Sequence, residues 1–198
     1  MINILKINSS GRVEGSVSRD LTNRLASRFE NATVVDRDVT KGLYAVPQEW
    51  IGANFTPKDA RNDVQKELLE LSDTLIDEIR TADVLVIGMP IYNFGVPAAL
   101  KVWIDLICRV GETFQYGENG PEGLISGKRA IVTVASGGVP VGSPMDHATT
   151  YLTQVLGFIG ITDVTYVAAT GLAMDADAAL RIAESQIDSL DLSINLAA

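Results

Sequence analysis

Five short runs rich in β-branched residues punctuate the chain: INILKIN at 2–8, ATVVDRDV at 32–39, DVLVIGMP at 83–90, RAIVTVAS at 129–136 and DVTYVAAT at 163–170. Between them, helical patterns run over about 16–30, 60–81, 97–110, 144–158 and 175–190. Strands alternating with helices at this spacing build right-handed crossovers, and hence a parallel sheet covered on both faces. The third run is almost wholly apolar, as a strand buried on both faces requires. The pattern predicts an α/β fold with a five-stranded parallel sheet, in a single domain over residues 1–198.

Two helical patterns say more. Over 60–81, Val64, Leu68, Leu71, Leu75 and Ile79 fall at i+3 and i+4 spacing and predict the core-facing stripe. Over 97–110 the pattern is apolar nearly all round, with Lys101, Asp105 and Arg109 as one i,i+4 polar stripe. Such a helix fits a subunit interface through Leu100, Trp103, Ile104 and Ile107, or burial under neighbours from its own chain. Residues 40–59 and 111–128 show no helical or strand period but carry Tyr44, Trp50, Phe55, Phe114 and Tyr116. Long connections bearing aromatics often wall a binding site.

Charge narrows the partners. The 16 basic residues face 25 acidic ones, for a net charge of −9, which argues against nucleic acid or an anionic membrane as main partner. One cysteine, Cys108, and one histidine, His147, exclude an internal disulfide framework and argue against a His/Cys metal site. The first ten residues read as a strand and not as a signal peptide. No apolar run approaches the ~20 residues of a membrane span, so a cytoplasmic protein is expected.

In a doubly wound sheet, ligands bind beyond the C-terminal strand ends near the switch in strand order. Three loops lie there. The first, SSGRVEGSVS at 9–18, sets Ser10, Ser16 and Ser18 and two glycines at a helix N-terminus, a fit for one monoester phosphate. It matches neither the dinucleotide nor the triphosphate glycine signature, and its plain alternative is an ordinary serine N-cap. The second, MPIYNFG at 89–95, offers Tyr92 and Phe94 to a planar ring and Asn93 to its polar edge, unless both aromatics are core. The third, ASGGVPVGSP at 135–144, presents consecutive amides to negative charge, or is simply a glycine turn.

The serine loop, the P-x-Y-N-F turn, TFQYGENGPEGLISGKRAIVTVASGG and LGFIGITDV together make the chain resemble the FMN-dependent NADH azoreductases, relatives of the NAD(P)H quinone reductases. The resemblance runs from Met1 to the final helix. It implies a flavodoxin-like fold, a homodimer with active sites at the interface, and non-covalent FMN. It further implies that Ser10, Ser16, Val17 and Ser18 hold the FMN phosphate, and that Ile91, Tyr92, Asn93 and Phe94 contact the ring. Ala135, Ser136, Gly137 and Gly138 would face the ring's other polar edge, and Phe114 and Phe158 would sandwich flat aromatic substrates. For both phenylalanines the plain alternative is core packing. Several relatives read S-R-G-G where this chain has Ala135-Ser136-Gly137-Gly138, and a histidine where it has Pro140.

The resemblance implies a ping-pong reaction in which NADH or NADPH, then a quinone or azo compound, uses the same site. The flavin carries the chemistry, so no catalytic acid–base pair is expected; His147 is more often structural in such a place. Arg12 or Lys58 are the candidates to meet a 2′-phosphate. A flavodoxin-type electron carrier and a cofactor-free binding protein on the same scaffold are the rival readings. A phosphatase reading is weak because Cys108 and Arg109 are adjacent instead of framing a C-x₅-R loop.

Overall fold

The computed structural model describes residues 1–193; the last five of the expected single domain lie outside the described residues. In chain order the elements are β1 (Asn3–Asn8), α1 (Val17–Ser27), β2 (Thr33–Asp38), α2 (Gln48–Phe55), α3 (Asp63–Thr81), β3 (Val84–Pro90) and α4 (Ala98–Ile107). They continue with β4 (Phe114–Gly117), β5 (Gly120–Gly123), β6 (Arg129–Ser136), α5 (His147–Ile159), β7 (Asp163–Thr170) and α6 (Ala176–Ser189). The five expected strands form one all-parallel sheet in the order β2-β1-β3-β6-β7, the flavodoxin-like arrangement. Strand order reverses between β1 and β3, which places a ligand crevice at their C-terminal ends.

Strand β3 explains the depth of the core. All seven of its residues are buried, and each large aliphatic side chain so placed contributes about 1.5–3 kcal/mol. Its alternate side chains feed two clusters. Val84 and Val86 meet Leu21 and Leu25 of α1 and Ala183 and Ile187 of α6 on one face. Leu85 and Ile87 meet α3, α4 and α5 on the other.

Several expectations need correction. On α3 the sheet-facing line is Leu69, Leu75, Ile76 and Ile79, while Val64 is exposed. Leu68 and Leu71 are only partly buried, turned toward Tyr44, Pro47 and Trp50 and not toward the sheet. On α4, Leu100, Trp103, Ile104 and Ile107 are all buried within the one chain, so they offer no interface. The helix ends at Ile107, and Arg109 lies beyond it, fully buried instead of continuing the Lys101–Asp105 stripe. Arg109 Nη1 donates to Asp73 Oδ1 at 2.5 Å and Ser72 Oγ at 3.0 Å, and Nε to Asn54 Oδ1 at 3.1 Å.

The two long connections are also more regular than their sequence suggests. Residues 40–59 contain α2, whose two turns bury only Trp50 and Ala53, too few for a readable period. Residues 111–128 contain the antiparallel hairpin β4–β5. Its four-residue strands are rich in glycine and bury Phe114 alone, so no alternation appears. The GFIGITDV motif has a structural reason: Gly160 ends α5 at φ 106°, and a Cβ there would lie 2.6 Å from the Ile125 carbonyl oxygen. No helix among the described residues is long and apolar enough to cross a membrane.

Candidate functional site

The end of β1 is tied down before the serine loop begins. Ser9 donates to the Gly88 carbonyl through both its amide (3.2 Å) and its hydroxyl (2.7 Å). Asn8 accepts from Thr22 Oγ1 at 3.0 Å, and Thr133 Oγ1 donates to the Ser18 carbonyl at 3.2 Å. These bonds hold α1 over β1, β3 and β6. Gly88 lets α1 sit that close, since a Cβ there would approach Thr22 Cγ2 to 3.0 Å and Ser18 O to 3.2 Å.

Side chains cap three of the α-helices, while α1, like α2 and α4, has no side-chain cap. Asn62, Asp146 and Asp175 begin α3, α5 and α6 with side chains that accept their own first-turn amides. Ser16 occupies the same position before α1 in extended backbone but makes no capping bond. Its Oγ lies 3.4 Å from Ser18 Oγ, and both residues are buried. Ordinary serine capping is therefore not what these residues do. The first-turn amides of such a helix remain free donors at its positive end.

Beside them stands the 92–95 turn. Tyr92 and Gly95 exchange backbone hydrogen bonds of 3.1 and 3.0 Å, while Asn93 and Phe94 have φ of 50° and 70°. This is a type I′ turn with phenylalanine where glycine is usual, a conformation that costs roughly 1–2 kcal/mol. The His147 amide holds the Phe94 carbonyl at 3.1 Å, and Tyr92 OH lies 3.3 Å from Ser10 Oγ. The strained turn is thus fastened on two sides, with Tyr92 and Phe94 half exposed and outside the core.

A cleft of about 400 Å³ lies between these loops. It is lined by Ser10, Arg12, Gly15 to Ser18, Pro90 to Tyr92, Ala135 to Gly137, Leu172 and Ala173. None of these is acidic, in a chain with 25 acidic residues. Asn93, Phe94 and Gly138 adjoin the lining residues in sequence without being among them. The Ser136 hydroxyl accepts from the Val139 amide at 2.8 Å, so the side chain shapes its own turn. Leu172 and Ala173, which the sequence reading passed over, donate to the Ser136 and Gly137 carbonyls at 3.1 and 3.0 Å. The signal for them was Gly171 directly after the fifth strand, a fourth loop at the same sheet end.

The remaining candidates lie elsewhere. Phe114 is buried, its ring centroid 4.3 Å from that of Phe158, and neither lines the cleft of its own chain. Lys58 lies near Glu112 and not at the cleft, leaving Arg12 as its cationic lining residue. Burial and neighbouring Asp105 push the Cys108 thiol up to about 11, despite opposing Lys101, so it is no nucleophile at neutral pH. Among the described residues no cluster of three or more metal-ligating side chains occurs.

Residues 2–191 match a family model described as flavodoxin-like fold. The chain belongs to this flavodoxin-like family. An FMN-dependent NADH:quinone oxidoreductase 1 of Jannaschia sp. (strain CCS1) is 56% identical over 96% of this chain and 99% of its own length. A protein of the same name from Hahella chejuensis (strain KCTC 2396) is 50% identical over 93% and 92%. Among solved structures, an FMN-dependent NADH-azoreductase of Bacillus anthracis str. Ames Ancestor in complex with FMN matches with a TM-score of 0.85. It is 25% identical over 95% of this chain and 96% of that one. The cleft of this family member suits a flavin mononucleotide in its donor set: hydroxyls and uncapped amides for a phosphate, and Pro90, Ile91 and Leu172 beside a ring.

Proposed function

We propose that this chain is an FMN-dependent NADH:quinone oxidoreductase that also reduces azo compounds. The observation that carries the reading is the uncapped N-terminus of α1, opening into a cleft without carboxylates. Bound FMN supplies the acceptance and return of a hydride. The chain's own residues bind and orient. Ser10, Ser16, Val17 and Ser18 hold the phosphate by hydroxyls and first-turn amides. Ile91, Tyr92, Asn93 and Phe94 set the ring, their turn fixed by the Ser10 and His147 contacts. Ala135 to Gly138 face the ring's other polar edge, and the backbone amides of residues 136–138 offset negative charge there. The missing arginine of the family pattern leaves that task to amides, with the Ser136 hydroxyl shaping their turn.

The same reading includes a homodimer in the cytoplasm. Burial of the α4 side chains moves the expected interface outward. Exposed Tyr44, lining the apolar groove with Pro47, Trp50, Leu68 and Leu71, supports it there, and Phe55 and Tyr116 are further exposed aromatics. Phe114 and Phe158 sandwich flat aromatic substrates, one of them across the dimer; within one chain their rings already meet at a tilt of 47°. NADH is the donor, as in the names of the relatives.

A steady-state assay tests this directly. Protein reconstituted with FMN is given NADH or NADPH and either a quinone or an azo dye. NADH oxidation with both acceptors, lost when FMN is removed, is the expected result. A folded protein that fails to bind FMN refutes the reading. So does an FMN-loaded protein that reacts with neither nucleotide, which is the behaviour of an electron carrier.

A further inference from the structure

The first turn of α1 carries Asp20, as the helix macrodipole favours, but also a cation. The third residue of the helix is Arg19, where the macrodipole favours an acid. The guanidinium is nearly buried and is turned back over the serine loop: Nε donates to the Arg12 carbonyl at 2.9 Å and Nη2 to the Ser10 carbonyl at 2.7 Å. Both terminal nitrogens also donate to the Asp38 carboxylate, at 3.1 Å each. Four of its five N–H donors are thereby engaged. Asp38, at the end of edge strand β2, is itself fixed by the Thr40 amide (3.1 Å) and hydroxyl (2.7 Å). Residues 11–15 between these anchors are exposed, and their only other side-chain tie is the Arg12 amide to Ser10 Oγ at 3.2 Å.

We propose that Arg19 and Asp38 form a latch that positions the serine loop for the FMN phosphate. The inference rests on the functional reading above and deepens it. Arg19 acts through Ser10 and Arg12, because its donors are engaged with the loop and with Asp38. It is a positioning residue. Burial alone would raise the Asp38 carboxyl, but Arg19 and Thr40 hold it down to about 2, so the pair is charged at neutral pH.

The rival explanation is that Arg19 simply adds positive charge near a dianion, and one substitution separates the two. Asp38→Asn removes a negative charge while loosening the guanidinium. It tightens FMN if charge is what matters and weakens FMN if the latch does.

Apo-protein is titrated with FMN and with riboflavin, which lacks the phosphate, following flavin fluorescence for wild type, Arg19→Ala, Arg19→Lys and Asp38→Asn. The latch requires FMN to weaken about tenfold or more in all three variants, with riboflavin unchanged within about twofold. Asp38→Asn binding FMN as tightly as wild type or tighter overturns it, as does Arg19→Lys matching wild type. Equal weakening of FMN and riboflavin marks a merely structural pair and overturns it too. Wild type that binds no FMN overturns the functional reading itself, a result distinguishable from all of these.

Discussion

Replacing Ser16 by alanine separates a capping serine from a phosphate-binding one. An ordinary serine N-cap loses about 1 kcal/mol on replacement by alanine, some 2–4 °C of melting temperature at this chain length. Ser16 makes no capping bond, and among the described residues its hydroxyl's one polar contact is the 3.4 Å approach to Ser18 Oγ, at the long limit of a hydrogen bond. Stability should therefore fall by less than the ~1 kcal/mol that a lost cap costs. A hydroxyl donating to a phosphate dianion contributes about 1.5–3 kcal/mol, which is ~10- to 150-fold in affinity at ~1.4 kcal/mol per tenfold. Thermal unfolding of the apo-protein and fluorescence titration with FMN give both numbers on one sample. A variant that loses 1 kcal/mol or more of stability and keeps its FMN affinity would make Ser16 a cap and remove the phosphate from this loop.

Gly88→Ala should cost about 1–3 kcal/mol by overpacking and also weaken FMN, because the new methyl meets Thr22 at 3.0 Å and the Ser18 carbonyl at 3.2 Å; denaturant unfolding beside FMN titration checks both, and an unchanged stability refutes the packing of α1. Phe114→Ala should lose about 3 kcal/mol of stability, given its burial against Phe158, and should raise KM for quinones if it also meets substrate; a variant with normal melting temperature would put Phe114 outside the core. The Asp38 carboxyl sits at about 2 instead of 3.8, so its stabilisation is full above pH ~4 and lost as pH falls through ~2. That gap is worth about 2 kcal/mol, of which roughly half is gone by pH ~3; wild type should therefore lose about 1 kcal/mol more than Asp38→Asn between pH ~6 and pH ~3 in urea unfolding, and equal losses would refute the ion pair.

The sheet was legible because its strands are buried on both faces, which compresses their sequence into apolar runs such as Val84 to Pro90. The serine loop stood out as a cluster of hydroxyls and glycines at a strand-to-helix junction, but sequence alone left it open to ordinary N-capping, and only the structure shows that Ser16 makes no capping bond. What escaped was set by tertiary contact. Arg109 reads as a surface charge until Asp73, Ser72 and Asn54 enclose it, partners 36, 37 and 55 residues away. Val64 fits the helical period yet is exposed, because period fixes a face and leaves open how far along the helix the core extends. Leu172 and Ala173 carry no chemical signature, and only their amide bonds to the 136–137 carbonyls bring them to the cleft. Phe94 at φ 70° is invisible in the sequence, since propensity alone would seat glycine there.

The overall charge and the proposed phosphate site point in opposite directions, and the lining of the cleft bears on both. A net charge of −9 disfavours anions at long range. At the cleft this is reversed locally by exclusion more than by added cations: no acidic side chain lines it, and its donors are hydroxyls, helix amides and the single side chain of Arg12. Asp38, which reaches the serine loop through the Arg19 contacts, is paired with that guanidinium and is not among the lining residues. On the proposed reading, neutral dipoles fixed by folding would bind the phosphate without the mobile lysines a triphosphate site uses, and would discriminate by geometry. That is why the fastening of the loop matters here. In a cleft whose attraction comes from oriented dipoles, a loose loop loses more than it would in one lined with cations.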